Sequence, residues 1–251
     1  MILSKKILLI IFLLIFSATS CKTGKNKKEN LNSNEVAIEY FFPEEIHYTE
    51  GVGEIIADRF YPIGWSKNGN FAYMIEPADE GLGNYQLVLI VQNLISNEVI
   101  WDWSTDPVVG EDLYREDIWK KNYDLFKKNM NKQGIIQIRN MKLESDYFVH
   151  KDKDYIISLE LTKEQEDDIN IEIVKKNKII LTCKQLGKKI VFEDTFEGSL
   201  ILGQQIAGCF ISPYEDRIAI LVRSERWGYE GPPNVVEYKI YGANLTTGFQ
   251  K

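Results

Sequence analysis

The chain has 251 residues, a formal net charge of −7 at neutral pH and 12% aromatic residues. So acidic a chain lacks the basic footprint that DNA or RNA binding requires, and no nucleic-acid partner is expected. Its hydrophobic content of 44% is that of a folded globular protein rather than a disordered stalk.

The first element is a leader. Lys5 and Lys6 precede an unbroken apolar run over residues 7–16, followed by Ser17-Ala18-Thr19-Ser20 and then Cys21. A positive end, an apolar middle and a small-residue cleavage site predict a secretory signal peptide over 1–20. The apolar run is ten residues long, whereas a membrane-spanning helix needs about 20. Ala18-Thr19-Ser20-Cys21 resembles the lipobox of bacterial lipoproteins, with Ala18 where leucine is usual. The resemblance implies that Cys21 becomes the first mature residue and carries the lipid. The chain would then be held at a membrane of the bacterial cell envelope, facing the periplasm or the exterior. A signal cleaved without lipidation is the alternative, and it leaves Cys21 an ordinary cysteine. Cleavage would remove Lys5 and Lys6 and take the formal charge from −7 to −9.

Residues 22–34 read KTGKNKKENLNSN. This composition cannot bury enough surface to fold. It is read, with Cys21, as a lipidated tether over 21–34.

Residues 35–251 are expected to form a single, mainly β domain. Strands are predicted at 35–42 (EVAIEYFF), 71–76, 85–92 (YQLVLIVQ) and 98–103. The near-continuous apolar run at 85–92 predicts a strand buried on both faces, and Ser96-Asn97 predicts the turn of a hairpin to 98–103. A helical insertion is predicted near 107–133, opened by Asp106-Pro107 and closed by Gly134, with acids early and lysines late. Its stripe of Leu113, Ile118, Trp119, Tyr123 and Phe126 is read as core packing against the sheet. Further strands are expected at 135–139, 155–161, 169–174, 178–183, 189–193, 199–202, 217–222 and 235–241. Turns are predicted at Lys175-Lys176-Asn177 and around Gly187. Consecutive strands with short turns imply an antiparallel meander.

Two segments resemble each other. Residues 64–73 (GWSKNGNFAY) and 210–219 (FISPYEDRIA) each carry an aromatic near a serine, a polar turn and a strand starting at an alanine. Both resemble the serine, aspartate-glycine, alanine turn of β-propeller blades. In that pattern the serine closes the turn by hydrogen bonds to backbone, and the glycine supplies a left-handed conformation. The copies lie 146 residues apart, far beyond a blade repeat of roughly 40 to 50. The expected fold is therefore a partial or degenerate β-propeller-like domain, or a two-sheet domain, with one amphipathic helix. Ile211-Ser212-Pro213, the apolar run 218–222 and Gly228-Tyr229-Glu230-Gly231-Pro232, with 65–73 as a further part, resemble a family of secreted bacterial proteins of uncharacterised function. That resemblance implies a fold and a location and brings no catalytic residue.

Signals for chemistry are sparse. His47 and His150 have no metal-ligand spacing, and no metal or cofactor is implied. There is no GxSxG element, so Ser66 and Ser212 are read as turn serines. Residues 164–168 (EQEDD) are read as a solvated hairpin loop, with a weak calcium site as the sharper reading. Cys183 and Cys209 are candidates for a disulfide outside the cytoplasm, with two buried thiols as the alternative. Trp101 and Trp103 share one strand face. Arg226, Trp227 and Tyr229 sit in a glycine- and proline-rich loop of the kind that makes partner contacts. The expected function is a lipid-anchored, non-enzymatic binding or scaffold module. Its partners would be the membrane, through Cys21, and an envelope protein or glycan. The alternative is an envelope hydrolase acting through paired carboxylates.

Overall fold

The structure, a computed structural model, describes residues 41–46, 55–81, 84–105, 108–109, 115–166, 170–229 and 231–251. Cys21, the expected leader and tether, most of the expected strand at 35–42, His47, Asp106-Pro107, Leu113, Asp167, Asp168 and Glu230 lie outside the described residues. Among the described residues, the fold is mainly β with one helix.

The strands in chain order are β1 Ile55–Ala57, β2 Arg59–Trp65, β3 Asn70–Glu76, β4 Asn84–Tyr85, β5 Val88–Asn93, β6 Glu98–Ser104 and β7 Val108–Val109. Helix α1 spans Arg115–Lys132. There follow β8 Ile136–Gln137, β9 Tyr147–His150, β10 Lys153–Glu166, β11 Ile171–Cys183, β12 Gly187–Thr195, β13 Ile201–Ile211, β14 Arg217–Arg226 and β15 Asn234–Asn244.

Three sheets carry the architecture. The first has the order β6-β5-β3-β2-β8, the second β12-β11-β10-β9 and the third β1-β15-β14-β13. Their pairings are antiparallel except β1 with β15, which is parallel. The strand alternation sorts side chains onto opposite faces and stacks these layers. Tyr61, Ile63, Ala72, Met74, Leu89 and Val91 of the first sheet pack against Ile118, Trp119, Phe126 and Met130 of α1. The opposite face, with Phe60, Trp65, Phe71 and Tyr73, packs against Phe210, Leu221, Val236 and Ile240 of the third sheet. The other face of the third sheet packs Ile218, Ile220, Val222 and Tyr241 against Tyr155, Ile157, Ile179 and Leu181 of the second. Face-to-face stacking of separate antiparallel sheets is what makes the domain propeller-like.

The two serine turns are built alike and meet in space. Ser66 Oγ accepts from the Asn68 and Asn70 N–H groups at 3.1 and 2.8 Å. Gly69 supplies the left-handed residue, at φ +80°. Ser212 Oγ accepts from the Tyr214 N–H at 3.3 Å. Phe71 and Phe210 stack with ring centroids 5.6 Å apart. Arg217 donates to the Leu94 carbonyl at 3.0 Å, tying the second turn to the end of β5.

Several expected elements change. The run 85–92 is not one strand: Tyr85 belongs to β4, which pairs with β7, and β5 begins at Val88. β5 itself is covered on both faces, Leu89 and Val91 toward α1 and Ile90 toward the third sheet. Lys175-Lys176-Asn177 is no turn, because β11 runs unbroken for 13 residues. Asn177 is buried and donates to Gln204 Oε1 at 2.9 Å, and Gln204 donates to Ser224 Oγ at 2.8 Å. The Asn177 amide nitrogen is thus satisfied from a neighbouring strand, whereas its Oδ1 is buried without a hydrogen-bond partner. Strand β2 lacked a sequence signal because Pro62 and Gly64 interrupt it. The chain tolerates Pro62 there because β8 reaches only Gly64 and Trp65 on that side.

Cys183 and Cys209 are both buried free thiols, the alternative to the candidate disulfide. They share one core cluster, but each sulfur faces its own acceptor. Cys183 Sγ lies 3.3 Å from Gln185 Oε1, and Cys209 Sγ lies 3.9 Å from the Ser145 carbonyl. Burial pushes the Cys209 thiol far above its ordinary range.

Candidate functional site

The loop between β14 and β15 is held in shape by charge and by close backbone contact. Arg226, the last residue of β14, donates from Nε to Glu237 Oε1 at 2.5 Å. Its guanidinium also engages both carboxylate oxygens of Glu80, from Nη1 at 3.2 Å and from Nη2. The two carboxylates hold the guanidinium strongly in its charged form, and Arg226 holds the Glu80 carboxyl below the usual carboxylate range. Glu80 Oε2 further accepts the Tyr229 N–H at 3.0 Å. One carboxylate thus joins the segment after β3 to a loop 149 residues away.

Backbone contacts complete the loop. The Trp227 N–H donates to the Leu200 carbonyl at 2.9 Å. A Cβ on Gly228 would stand 2.3 Å from the Gly231 carbonyl oxygen and 2.4 Å from that of Pro233. Only glycine fits there. Trp227 is half-buried, with its indole against Gly231. Tyr229, at the tip, is 90% exposed.

Two open clefts share Pro77 and Ala78, and the first of them reaches Arg226. One of about 330 Å³ is lined by Asp58, Ala78, Glu80, Arg226, Glu237 and Tyr238, among others. The other, of about 370 Å³, includes Arg59, Glu76, Asp79 and Tyr85. Asp58 sits between β1 and β2, accepts the Ala78 N–H at 2.9 Å and has its own N–H on the Val236 carbonyl. Burial, with a smaller contribution from Glu237, pushes its carboxyl up to about 6. Glu76 accepts the Tyr61 O–H at 3.0 Å and lies 3.6 Å from Arg115. The acids of both clefts are thus mostly engaged with cations, hydroxyls or backbone N–H groups.

The remaining sequence candidates fall elsewhere. Trp101 and Trp103 pack onto the cluster under α1, with Trp103 edge-on to Phe126 at 4.8 Å. His150 Nε2 lies 2.8 Å from Asp216 Oδ1, a pairing that ties β9 to the turn before β14. Glu164 and Glu166 are on β10 rather than in a loop, and Glu166 accepts from Lys175 at 3.2 Å. Among the described residues, no group of three or more His, Cys, Asp or Glu side chains is placed to hold a metal ion. Among the same residues, no helix is long and apolar enough to cross a membrane.

Sequence reasoning singled out Arg226, Trp227 and Tyr229, which the structure places together. It missed Asp58, Glu80 and Glu237. Isolated acids carry no local signal, and their partners come from other strands. Comparison with profiles of known protein families, with curated proteins and with solved structures finds no match.

Proposed function

We propose that the protein is a lipid-anchored module of the bacterial cell envelope that binds a partner, rather than catalysing a reaction, through the loop over residues 226–233. The observation that carries the binding role is Tyr229. An aromatic side chain 90% exposed stands on a loop whose backbone is fixed by Glu80 and by the glycine contact at 228. Rigid exposed aromatics give contact area at small entropic cost. The anchor rests on the leader and on Cys21, and it would keep the loop at high local concentration near envelope partners, protein or glycan.

The hydrolase alternative draws on Asp58, whose carboxyl is raised to about 6 beside Glu237. A carboxylate mechanism needs a second acid free to act. In the same cleft Glu80 and Glu237 are both bound by Arg226, which favours the binding reading.

Two measurements test the proposal. Mass spectrometry of the native protein should find residues 1–20 removed and Cys21 acylated; an unmodified thiol or an intact leader overturns the anchor. A pull-down from native membranes with Trp227→Ala and Tyr229→Ala should lose a partner that the unchanged protein recovers. Equal recovery by all three overturns the contact loop. Tyr229→Ala removes an exposed side chain and leaves the fold intact.

A further inference from the structure

The stack of layers ends in an uncovered sheet face. The first sheet has α1 on one side and the third sheet on the other, and the third has sheets on both sides. Among the described residues, the second sheet is packed on one face only. Its outward face carries Tyr147, Val149, Ile156 and Ile190, exposed by 52, 58, 48 and 58%. The register joins them into a band: Tyr147 is paired with Ile156, Ile156 with Thr182, Ser158 with Ile180 and Ile180 with Ile190.

Charge is sorted along the strands of this sheet. At the end holding the β9–β10 and β11–β12 turns stand Lys153, Lys184, Lys188 and the nearby Lys251, against Asp152 and Asp154. Lys184, Lys188 and Lys251 are exposed. With Ile180, Ile190 and Gln250, Lys188 and Lys251 line an open cleft of about 690 Å³ whose far wall carries Lys178 and Glu160. Lys189 holds its wall by donating to the Asn244 and Thr247 carbonyls. Farther along the strands acids outnumber lysines, with Glu160, Glu164, Glu166, Glu172, Glu193 and Asp194 against Lys163, Lys175, Lys176 and Lys178. An apolar band next to a lysine-bearing end, with acids beyond it, is complementary to an anionic bilayer surface.

We propose that the lysine end of this face dips into an anionic phospholipid surface with the strands steeply inclined to it, placing Lys184, Lys188 and Lys251 at the headgroup phosphates and Ile190, Ile156 and Tyr147 in the interface. The inference rests on the membrane anchor proposed above and adds an orientation. The His150–Asp216 contact places the start of β14 at the lysine end. β14 then runs ten residues to Arg226, roughly 30 Å. The Tyr229 loop therefore faces away from the bilayer.

The test uses the full-length protein as isolated, with Ile190→Cys labelled by an environment-sensitive dye; Cys183 and Cys209 are buried, and the same labelling of the unchanged protein subtracts any dye taken up by an unacylated Cys21. A second sample carries the dye at Tyr229→Cys. Both are mixed with vesicles of phosphatidylcholine alone or of phosphatidylcholine with phosphatidylglycerol. The expected result is a blue shift at position 190 in the anionic vesicles, none at 229, and loss of the shift with Lys184→Glu and Lys188→Glu together. Pelleting with the vesicles while position 190 stays solvent-like overturns the docking alone. Equal shifts at both positions, or a shift at 190 without vesicles through pairing of two copies, also overturn it. Pelleting only with anionic vesicles upholds the docking and overturns the anchor, and pelleting with neither overturns both.

Discussion

Arg226 shows how one cation can set the shape of a loop. Its guanidinium meets Glu80 in a fork and Glu237 from the side, and Glu80 passes the constraint on to the Tyr229 N–H. Removing Glu80 would leave both Arg226 and a loop amide short of an acceptor. Asp58, in the adjoining cleft, answers to pH. Its carboxyl is raised from 3.8 to about 6 by burial, so the folded state holds the proton more tightly than the unfolded state. Stability from this group is therefore full below about pH 4 and falls as pH rises toward 6, with a penalty of at most about 3 kcal/mol above that. Asp58→Asn keeps an oxygen for the Ala78 N–H and has no charge to bury. Urea unfolding of this variant should show it more stable than the unchanged protein at pH 7 and nearly equal at pH 4. A pH-independent difference would contradict the assignment.

At the level of elements, the serine turns are the clearest case of local sequence fixing local structure. Both serines are buried, yet they do unequal work. Ser66 Oγ takes two N–H groups, the closer at 2.8 Å, whereas Ser212 Oγ takes one at 3.3 Å. A buried donor left unsatisfied costs about 1–3 kcal/mol. Ser66→Ala should therefore lower unfolding free energy by about 2 kcal/mol and Ser212→Ala by clearly less, measured by urea denaturation; the reverse order would contradict the geometry. The C-terminal end of helix α1 shows the same legibility, although Val108–Val109, within the expected helical insertion, form strand β7 against β4 and the helix starts at Arg115. Its end at Gly134 follows from hydrogen bonds of Gly134 N–H to Asn131 and Ile135 N–H to Met130, the closing pattern that a glycine after the last turn announces. Strand β13 was less readable. Its stretch Gly203-Gln204-Gln205 has little β character, and it is held by Ser224 and Asn177 from neighbouring strands.

Across the whole molecule, the arrangement of layers places the two cysteines in the core between the second and third sheets, as thiols. Reducing agent should leave the melting temperature unchanged, and Cys183 and Cys209 should react with a thiol reagent only after unfolding. A melting point lowered by reductant would reinstate the bridge. The same arrangement explains why the repeat at 64–73 and 210–219 spans so much chain: the first and third sheets are neighbours, while the second, between them in sequence, packs on the far side.

Much of this was written in the chain. Alternating and continuous apolar runs named most strands, the 3.6-residue stripe named the helix, and a serine followed by a polar turn named the two turns, because these depend on neighbours within a few residues. The glycines and aromatics at 227–231 likewise marked the loop. What the chain could not disclose alone were contacts made at a distance: Glu80 with Arg226, Asp58 under Tyr238, Asn177 with Gln204, and which sheet face stays open. Those depend on strand register and on the order in which sheets stack. Local propensity is blind to both, because each is fixed only when many side chains pack together.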